Sequence, residues 1–488
     1  MLSQVHERLF GTFVISLLLL EPLPWDRHFR RGGFDAQCIK EHRMSNSSIR
    51  GARVAKNHMY ICRQTVYIRQ AFRAFGTFGS RYSSQGKEFN RVFRLEREMT
   101  KEEKETEAGI MAWLSQWNRC KREEQLKDFE DRIMETVEVA GTKENSMKFN
   151  EINEWHFHNA AATDITTPTL LIHGYAASSM AYYRSFSKLT QKIRDLYAID
   201  LPSFGVSAEV PLVLNPDKLL PLKLKHLDED KFKIPYVIDS LKTKLAIQQV
   251  EDYYVDSIER WRKENKIDKF NLVGHSFGGY ISFKYAIKYP DSVLNLCLLS
   301  PLGVESNVHS VNNDLQNDTV YNFHYEDFSS KFYNKRREIP SFIFNNQSDV
   351  LRWMGPVGAR LCWGYVNSAY KAIPTMEYKQ YVFELLYGKG GIPKTARTTF
   401  TKLFTRNLLA RDPIMDSLRQ LRAKKVLLVY GDHDWMNKYA GALMVKRLNE
   451  MRNNTSAEYI EVPDAGHNLF LQNPNYFSSS LTKFLAKE

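Results

Sequence analysis

The feature that most restricts the possible folds of this sequence is Gly-His-Ser-Phe-Gly at residues 274–278, because of what lies on either side. The mostly apolar residues 270–273 predict a short strand before the motif, and residues 279–286 predict the start of a helix after it. A serine at such a corner sits in a strained turn, and the flanking glycines leave room where strand and helix crowd together. Ser276 is therefore predicted to be a nucleophile that needs a histidine and an acid. The competing interpretation is a buried structural serine.

From residue 169 onwards, apolar runs typical of buried strands alternate with helical patterns. They lie at 169–172, 196–199, 270–273, 294–301, 425–430 and 457–462. This alternation predicts an α/β fold with a mostly parallel sheet flanked by helices, and with functional loops at the carboxyl ends of the strands. The alternation is interrupted over 305–411, which we interpret as a helical lid inserted after the sixth strand.

Two motifs at strand ends supply the partners that Ser276 needs. Gly-Asp-His-Asp-Trp-Met occupies 431–436, and His467 follows the last strand pattern. Nucleophile, acid and histidine thus occur in the chain order of a serine hydrolase triad on such a sheet. His467 would act as base and then as acid, and Asp434 would orient its imidazole. Asp432 competes for the acid role, although its place directly after a glycine favours a turn-forming function.

The loop at 173–179 follows the first strand of the alternation and carries a glycine that lets its backbone turn towards the nucleophile. An oxyanion hole would use the backbone N–H of Phe277 together with that of Tyr175 or Ala176, and the sequence leaves this choice open. His173 is expected to support the loop by hydrogen bonding rather than to react.

The order of these motifs resembles the α/β-hydrolase fold over roughly residues 165–488. The Gly-Asp-His-Asp-Trp-Met motif, Arg-Asp-Pro-Ile at 411–414 and Ser-Pro-Leu-Gly at 300–303 resemble a narrower group of lipid-acting enzymes. That group includes the fungal mitochondrial cardiolipin-specific deacylase and relatives described as lysophosphatidic acid acyltransferases. The resemblance implies a phospholipase A-type serine lipase that deacylates cardiolipin to monolysocardiolipin through an acyl-enzyme.

Acyltransferases of this group carry a His-x4-Asp motif at the catalytic histidine. In this sequence, Gln472 stands where the motif has the aspartate after His467. This departure disfavours the alternative function, an acyl-CoA-dependent lysophosphatidic acid acyltransferase, whereas hydrolysis needs only the triad. A catalytically inactive lipid-droplet scaffold is disfavoured by the presence of Ser276.

The net charge of +12 is concentrated in two segments. Residues 42–87 hold seven Arg, two Lys and no acidic residue, so most of the basicity belongs to a leader and a nucleic-acid partner is not expected. Residues 330–411 hold fourteen Lys or Arg and four Asp or Glu among many aromatic residues. This composition predicts peripheral association with an anionic phospholipid membrane surface, with Lys335, Arg336 and Arg337 as headgroup-binding candidates. An ordinary helical cap with its own aromatic core is the alternative.

The leader has the Arg-rich, acid-free composition of a mitochondrial presequence. Met44 is a candidate start as an alternative to Met1. The apolar run at 9–20 is a competing secretory signal, but no small-residue cleavage site follows it closely. We therefore expect a mitochondrial protein, peripheral to the inner membrane.

Five scattered cysteines without a CxxC pair indicate neither a disulfide framework nor a zinc site. With no Gly-rich phosphate loop and no metal motif, we expect neither cofactor nor metal. The predicted organisation is a leader over 1–90, a helical extension over 91–140, the hydrolase core over 141–304 and 412–488, and the lid over 305–411.

Overall fold

The computed structural model describes residues 121–212, 224–234 and 240–486. The predicted presequence and both candidate start methionines lie outside these ranges, so their assignment stays a prediction. Within the described ranges, no helix is both long enough and apolar enough to cross a bilayer.

Eleven strands occur in the described ranges, and eight of them form the main sheet. In chain order the strands are β1 (Thr142–Lys148), β2 (Ile152–His158), β3 (Thr169–Ile172), β4 (Asp195–Ile199), β5 (Lys225–His226), β6 (Lys231–Lys233), β7 (Phe270–His275), β8 (Val293–Leu299), β9 (Val320–Asn322), β10 (Lys425–Gly431) and β11 (Ala457–Val462). The main sheet has the order β1-β2-β4-β3-β7-β8-β10-β11.

Helices lie between most of these strands. In chain order they are α1 (Arg122–Glu135), α2 (Tyr183–Leu189), α3 (Ser240–Glu264), α4 (Phe277–Lys288), α5 (Ser341–Asn346), α6 (Ser348–Trp353), α7 (Pro356–Ala369), α8 (Met376–Leu386), α9 (Lys394–Leu403), α10 (Lys438–Arg452), α11 (Leu469–Gln472) and α12 (Pro474–Leu485).

The main sheet is parallel from β4 to β11, and an antiparallel hairpin of β1 and β2 extends one side of it. Strand β7 is buried along its whole length, as are the apolar residues of β3, which explains their continuous apolar runs. Because parallel strands end at the same edge, the segments after β3, β7, β10 and β11 meet there. The mostly parallel α/β architecture predicted from the sequence is confirmed.

The hairpin and a second, smaller sheet were not predicted. In the smaller sheet, β6 pairs antiparallel with both β5 and β9, joining residues 225–233 to residues 320–322. Phe232, Ile234 and Phe323 lie in a separate small core beneath it. The segment before α3, which reads as a polar insertion, is therefore tied partly to the chain beyond β8.

The insertion, residues 305–411, follows β8, which is the sixth strand of the main sheet in chain order. It contains β9 and the five helices α5 to α9. Most aromatic residues of these helices are buried, including Trp363, Tyr378, Tyr381 and Phe383, and they belong to the same hydrophobic core as the main sheet. Phe342 and Trp353 are exceptions, since more than half of each is exposed.

Candidate active site

Ser276 stands at the turn between β7 and α4 with φ 53° and ψ −115°, which is a strained backbone conformation for a residue with a side chain. A Cβ atom at Gly274 would lie 2.5 Å from the carbonyl oxygen of Gly278, and one at Gly278 would lie 2.2 Å from that of His173. Both positions therefore admit only glycine. The Ser276 amide donates to Leu299 O at 2.9 Å, which anchors the turn to the end of β8.

The structure brings His467 and Asp434 to Ser276 from two other strand ends. His467 Nε2 lies 3.0 Å from Ser276 Oγ, and His467 Nδ1 lies 3.2 Å from Asp434 Oδ1. A carboxylate accepts only, so Nδ1 carries the proton and Nε2 is free to accept from the serine hydroxyl. This geometry can transfer a proton from Ser276 to His467 as the serine oxygen attacks a carbonyl carbon.

Asp434 is fully buried, and its environment favours the charged form. Burial alone would raise the pKa of this carboxyl. The charge of His467 and hydrogen bonds from His467, Ser300 and the Met436 amide outweigh burial and hold the pKa below its usual value. The ionised carboxylate can therefore stabilise an imidazolium at His467.

Asp432, the competing acid, has a different task. Its two carboxylate oxygens accept the amide hydrogens of Asp464 at 3.1 Å and Ala465 at 3.0 Å. It thereby fixes the turn that precedes His467, and the structure places Asp434, not Asp432, against the imidazole.

The amide groups predicted for an oxyanion hole are available. Among the described residues, no protein oxygen accepts a hydrogen bond from the backbone N–H of Tyr175, Ala176 or Phe277. Phe277 is fully buried at the first position of α4, and Ala176 has a φ of 54°. Buried amides are normally paired, so unpaired ones beside a nucleophile are suited to a developing oxyanion.

The loop that carries Tyr175 and Ala176 is held from two sides. His173 Nε2 accepts the Leu201 amide hydrogen at 2.9 Å, and its Nδ1 lies 2.7 Å from Gly174 O, as expected for a supporting residue. From the insertion, Gln347 accepts a hydrogen bond from the Tyr175 hydroxyl. No pattern in the sequence predicts this contact, because its two residues lie 172 positions apart.

Three further residues at the site were missed from the sequence. Ser300 donates a hydrogen bond to the second carboxylate oxygen of Asp434. His275 Nε2 donates to His467 O at 3.0 Å, and burial, with the charge of His467, keeps the pKa of His275 well below its usual value. The Trp435 ring centroid lies 5.0 Å from that of His467. Ser300 and Trp435 do belong to short motifs quoted above, but only tertiary contact reveals their roles.

Gln472 lies at the end of α11, and its side-chain oxygen accepts the Gly466 amide hydrogen directly before His467. This residue therefore supports the turn that presents the imidazole. An aspartate, one methylene shorter, stands here in the acyltransferase motif.

The basic residues proposed for headgroup binding lie on the insertion before α5. Lys335 Nζ lies 3.3 Å from Glu305, and the Arg336 guanidinium lies 3.8 Å from Asp230 and stacks on Tyr325. Arg337 is exposed and has no ion pair among the described residues. Two of the three candidates thus already have partners within the chain.

Comparison with known proteins agrees with this geometry. The family model described as the alpha/beta hydrolase fold matches residues 167–474. The Saccharomyces cerevisiae protein ECM18 is 51% identical over 383 residues, which cover 78% of this chain and 84% of that protein. The 1-acylglycerol-3-phosphate O-acyltransferase ICT1 of the same yeast is 48% identical over 377 residues, covering 75% of this chain and 94% of that protein.

A more distant relative is named for a different activity. The human (lyso)-N-acylphosphatidylethanolamine lipase is 21% identical over 357 residues, covering 73% of this chain and 90% of that protein. The extent of the family match and the identity to the yeast proteins show that the chain belongs to the α/β-hydrolase family, among its lipid-acting members.

Proposed function

We propose that the chain is a phospholipase A-type serine hydrolase that removes an acyl chain from an anionic phospholipid, with cardiolipin as the preferred substrate. The observation that carries the proposal is the hydrogen-bonded series Ser276, His467, Asp434 beside unpaired backbone amides. The resemblance to the cardiolipin-specific deacylase supports the choice of substrate.

In the proposed reaction, Ser276 Oγ attacks the acyl carbonyl carbon while His467 Nε2 takes the hydroxyl proton. The amides of Phe277 and of Tyr175 or Ala176 stabilise the oxyanion of the tetrahedral intermediate. His467 then returns its proton to the departing lysophospholipid oxygen, which leaves an ester on Ser276. His467 then takes a proton from water as the water oxygen attacks the acyl carbon, and it returns that proton to Ser276 Oγ as the bond to the serine breaks and the fatty acid leaves.

The second candidate is acyl transfer to a lysophospholipid, with acyl-CoA as the donor. The identity to a protein named as an acyltransferase favours it. Gln472 in place of the motif's aspartate weighs against it. Both reactions share the acyl-enzyme, and they differ in whether water or a lysophospholipid hydroxyl accepts the acyl group.

A membrane partner is also part of the proposal. Four apolar side chains on α5, at the end of α6 and at the start of α7 are exposed by more than a third: Phe342 (56%), Trp353 (55%), Val357 (45%) and Met354 (37%). We name these four residues the apolar patch. The Phe342 and Trp353 ring centroids are 5.8 Å apart, so these two rings are adjacent. Exposed aromatic and aliphatic side chains on a basic segment support peripheral binding to anionic lipid.

The mitochondrial location rests on the composition of residues 42–87, which lie outside the described ranges. A fluorescent reporter fused to residues 44–90 would test it independently of activity.

The function is tested by incubating the purified chain with a mitochondrial lipid extract, with and without acyl-CoA, and identifying the products by mass spectrometry. We expect monolysocardiolipin and free fatty acid without acyl-CoA, and a loss of at least about a thousandfold in Ser276→Ala. Product that depends on acyl-CoA would favour the acyltransferase. Activity of Ser276→Ala within about tenfold of wild type would refute the nucleophile assignment.

A further inference from the structure

Away from the candidate active site, two histidines and an aspartate converge on neighbouring strands of the main sheet. His156 and His158 are two residues apart on β2 and therefore lie on one face. Asp195, the first residue of β4, is the direct cross-strand partner of His158. His156 Nε2 and His158 Nδ1 lie 3.2 Å and 2.8 Å from Asp195 Oδ1, and the three ligand atoms lie within 4.8 Å of one another.

These separations are those of a metal coordination sphere. In a tetrahedral zinc site with bonds of about 2.0–2.2 Å, neighbouring ligand atoms are roughly 3.4 Å apart. The observed nitrogen–oxygen distances of 3.2 Å and 2.8 Å would therefore lengthen by about 0.2 Å and about 0.6 Å to reach that geometry. Two imidazole nitrogens and a carboxylate oxygen are also a donor set that Zn²⁺ accepts.

The surroundings favour an ion here. The Tyr197 ring stacks on His156 with centroids 4.2 Å apart, which fixes the orientation of that imidazole. Glu144 on β1 is the direct cross-strand partner of His156, and its exposed side chain extends from the same face. Glu144 thus adds a carboxylate to this face, outside the group of three ligand atoms that lie within 4.8 Å of one another. The partial exposure of His156, His158 and Asp195 gives an ion access from solvent.

We infer that His156, His158 and Asp195 form a binding site for a divalent transition-metal ion of the Zn²⁺ class, with Glu144 or water as the remaining ligand. Asp195 begins β4, whereas Ser276 follows the carboxyl end of a strand parallel to it. The site is therefore at the opposite edge of the sheet from the triad. A bound ion would link β2 to β4 and stabilise the sheet without entering the acyl chemistry.

The test is titration of chelator-treated full-length protein with Zn²⁺ by calorimetry, together with Co²⁺ as a spectroscopic probe of tetrahedral geometry. We expect saturable binding of one ion at this site and a higher thermal unfolding temperature with Zn²⁺, because the ion binds the folded state. His158→Gln and Asp195→Asn should each weaken binding at least about tenfold, since even outer-shell changes at metal sites cost that much.

His324→Gln is the matched control, because His324 is also exposed but lies in the insertion, two residues after β9. It should leave the titration unchanged. Circular dichroism of each variant shows whether the fold is intact. Equal binding by wild type, His158→Gln and Asp195→Asn would mean adventitious binding elsewhere, and absence of saturable binding would mean an ordinary hydrogen-bonded cluster. Either result overturns the site.

Discussion

The two carboxylates of the Gly-Asp-His-Asp motif bind different partners and have different functions at the triad. Asp434 Oδ1 accepts hydrogen bonds from the His467 imidazole and from the Met436 amide, while Ser300 donates to the other carboxylate oxygen. All three of these partners donate hydrogen bonds, so only the ionised carboxylate satisfies the set. Both carboxylate oxygens of Asp432 instead accept hydrogen bonds from backbone amides of the turn before His467.

We therefore expect Asp434→Asn to lower kcat on a short soluble ester by about 10³–10⁴-fold, because an amide that donates to Nδ1 favours the wrong imidazole tautomer. Asp432→Asn should cost much less, since one amide oxygen can still hold part of the turn. Steady-state kinetics on both variants, with circular dichroism as the folding control, decides between them. If Asp432→Asn proved the more damaging, the acid role would pass to that residue.

Most of the residues that the structure brings together at the triad could be predicted from the sequence. Ser276 and its glycines are a local pattern, and His467 and Asp434 follow from their positions at strand ends. Ser300 and the Tyr175–Gln347 contact could not be predicted, because each joins residues more than a hundred positions apart. The metal-ligating cluster was missed for a related reason, since Asp195 lies 37 residues beyond His158.

Among the elements, α1 is joined to the core and to the insertion through one buried carboxyl. Glu130 Oε2 accepts from Asn153 Nδ2 at 3.1 Å and from Trp155 Nε1 at 3.2 Å. Its Oε1 lies 2.6 Å from the hydroxyl of Tyr381 on α8, which also lies 2.7 Å from Ser178 Oγ. Burial, with the nearby charge of Asp200, raises the pKa of Glu130 to about 8.

A raised carboxyl pKa means that the folded state binds more protons than the unfolded state between pH 4.5 and about 8. The stabilisation from this proton is complete below that window and is lost as pH rises through it. Glu130→Gln should flatten this slope and exceed wild-type stability above about pH 8 by on the order of a few kcal/mol. A glutamine can donate to Tyr381 and accept from Asn153 and Trp155, so it mimics the protonated acid.

Urea unfolding at several pH values measures this effect. Glu135→Gln is the matched control, because it removes an exposed carboxylate from the same helix. It should retain the wild-type slope. Identical slopes for Glu130→Gln and wild type would show that Glu130 is already ionised in the folded protein.

Element prediction succeeded where the pattern was long and failed where it was short. Strands β3, β7, β8 and β10 are apolar runs between helices, so their type and order could be read from the chain. Strands β5, β6 and β9 have two or three residues each, and β9 lies far along the chain from its partner. Such pairing is set by tertiary contacts rather than by local periodicity.

On the scale of the whole molecule, the basic charge and the exposed apolar surface of the insertion support different parts of membrane binding. Lys335 and Arg336 are engaged by Glu305 and Asp230, so their attraction to an anionic surface is reduced. Arg337 is the member of this group that has no ion pair among the described residues. The side chains of the apolar patch carry no charge, so salt does not screen their contribution to binding.

Vesicle binding separates these two contributions. Replacing Lys335, Arg336 and Arg337 with Gln should weaken binding to cardiolipin-containing vesicles at low salt, with each exposed cation worth about 1 kcal/mol. The difference from wild type should vanish near 1 M salt, where the Debye length falls to about 3 Å.

Trp353→Glu and Met354→Glu should weaken vesicle binding at both salt concentrations, because they remove apolar area and add a negative charge that the anionic surface repels. Met451→Glu is the control, since Met451 is similarly exposed on α10, outside the insertion. Vesicle sedimentation with the Ser276→Ala protein keeps binding independent of turnover. If Met451→Glu weakened binding as much as Met354→Glu, the loss would reflect added negative charge alone, and the apolar patch would have no part in docking.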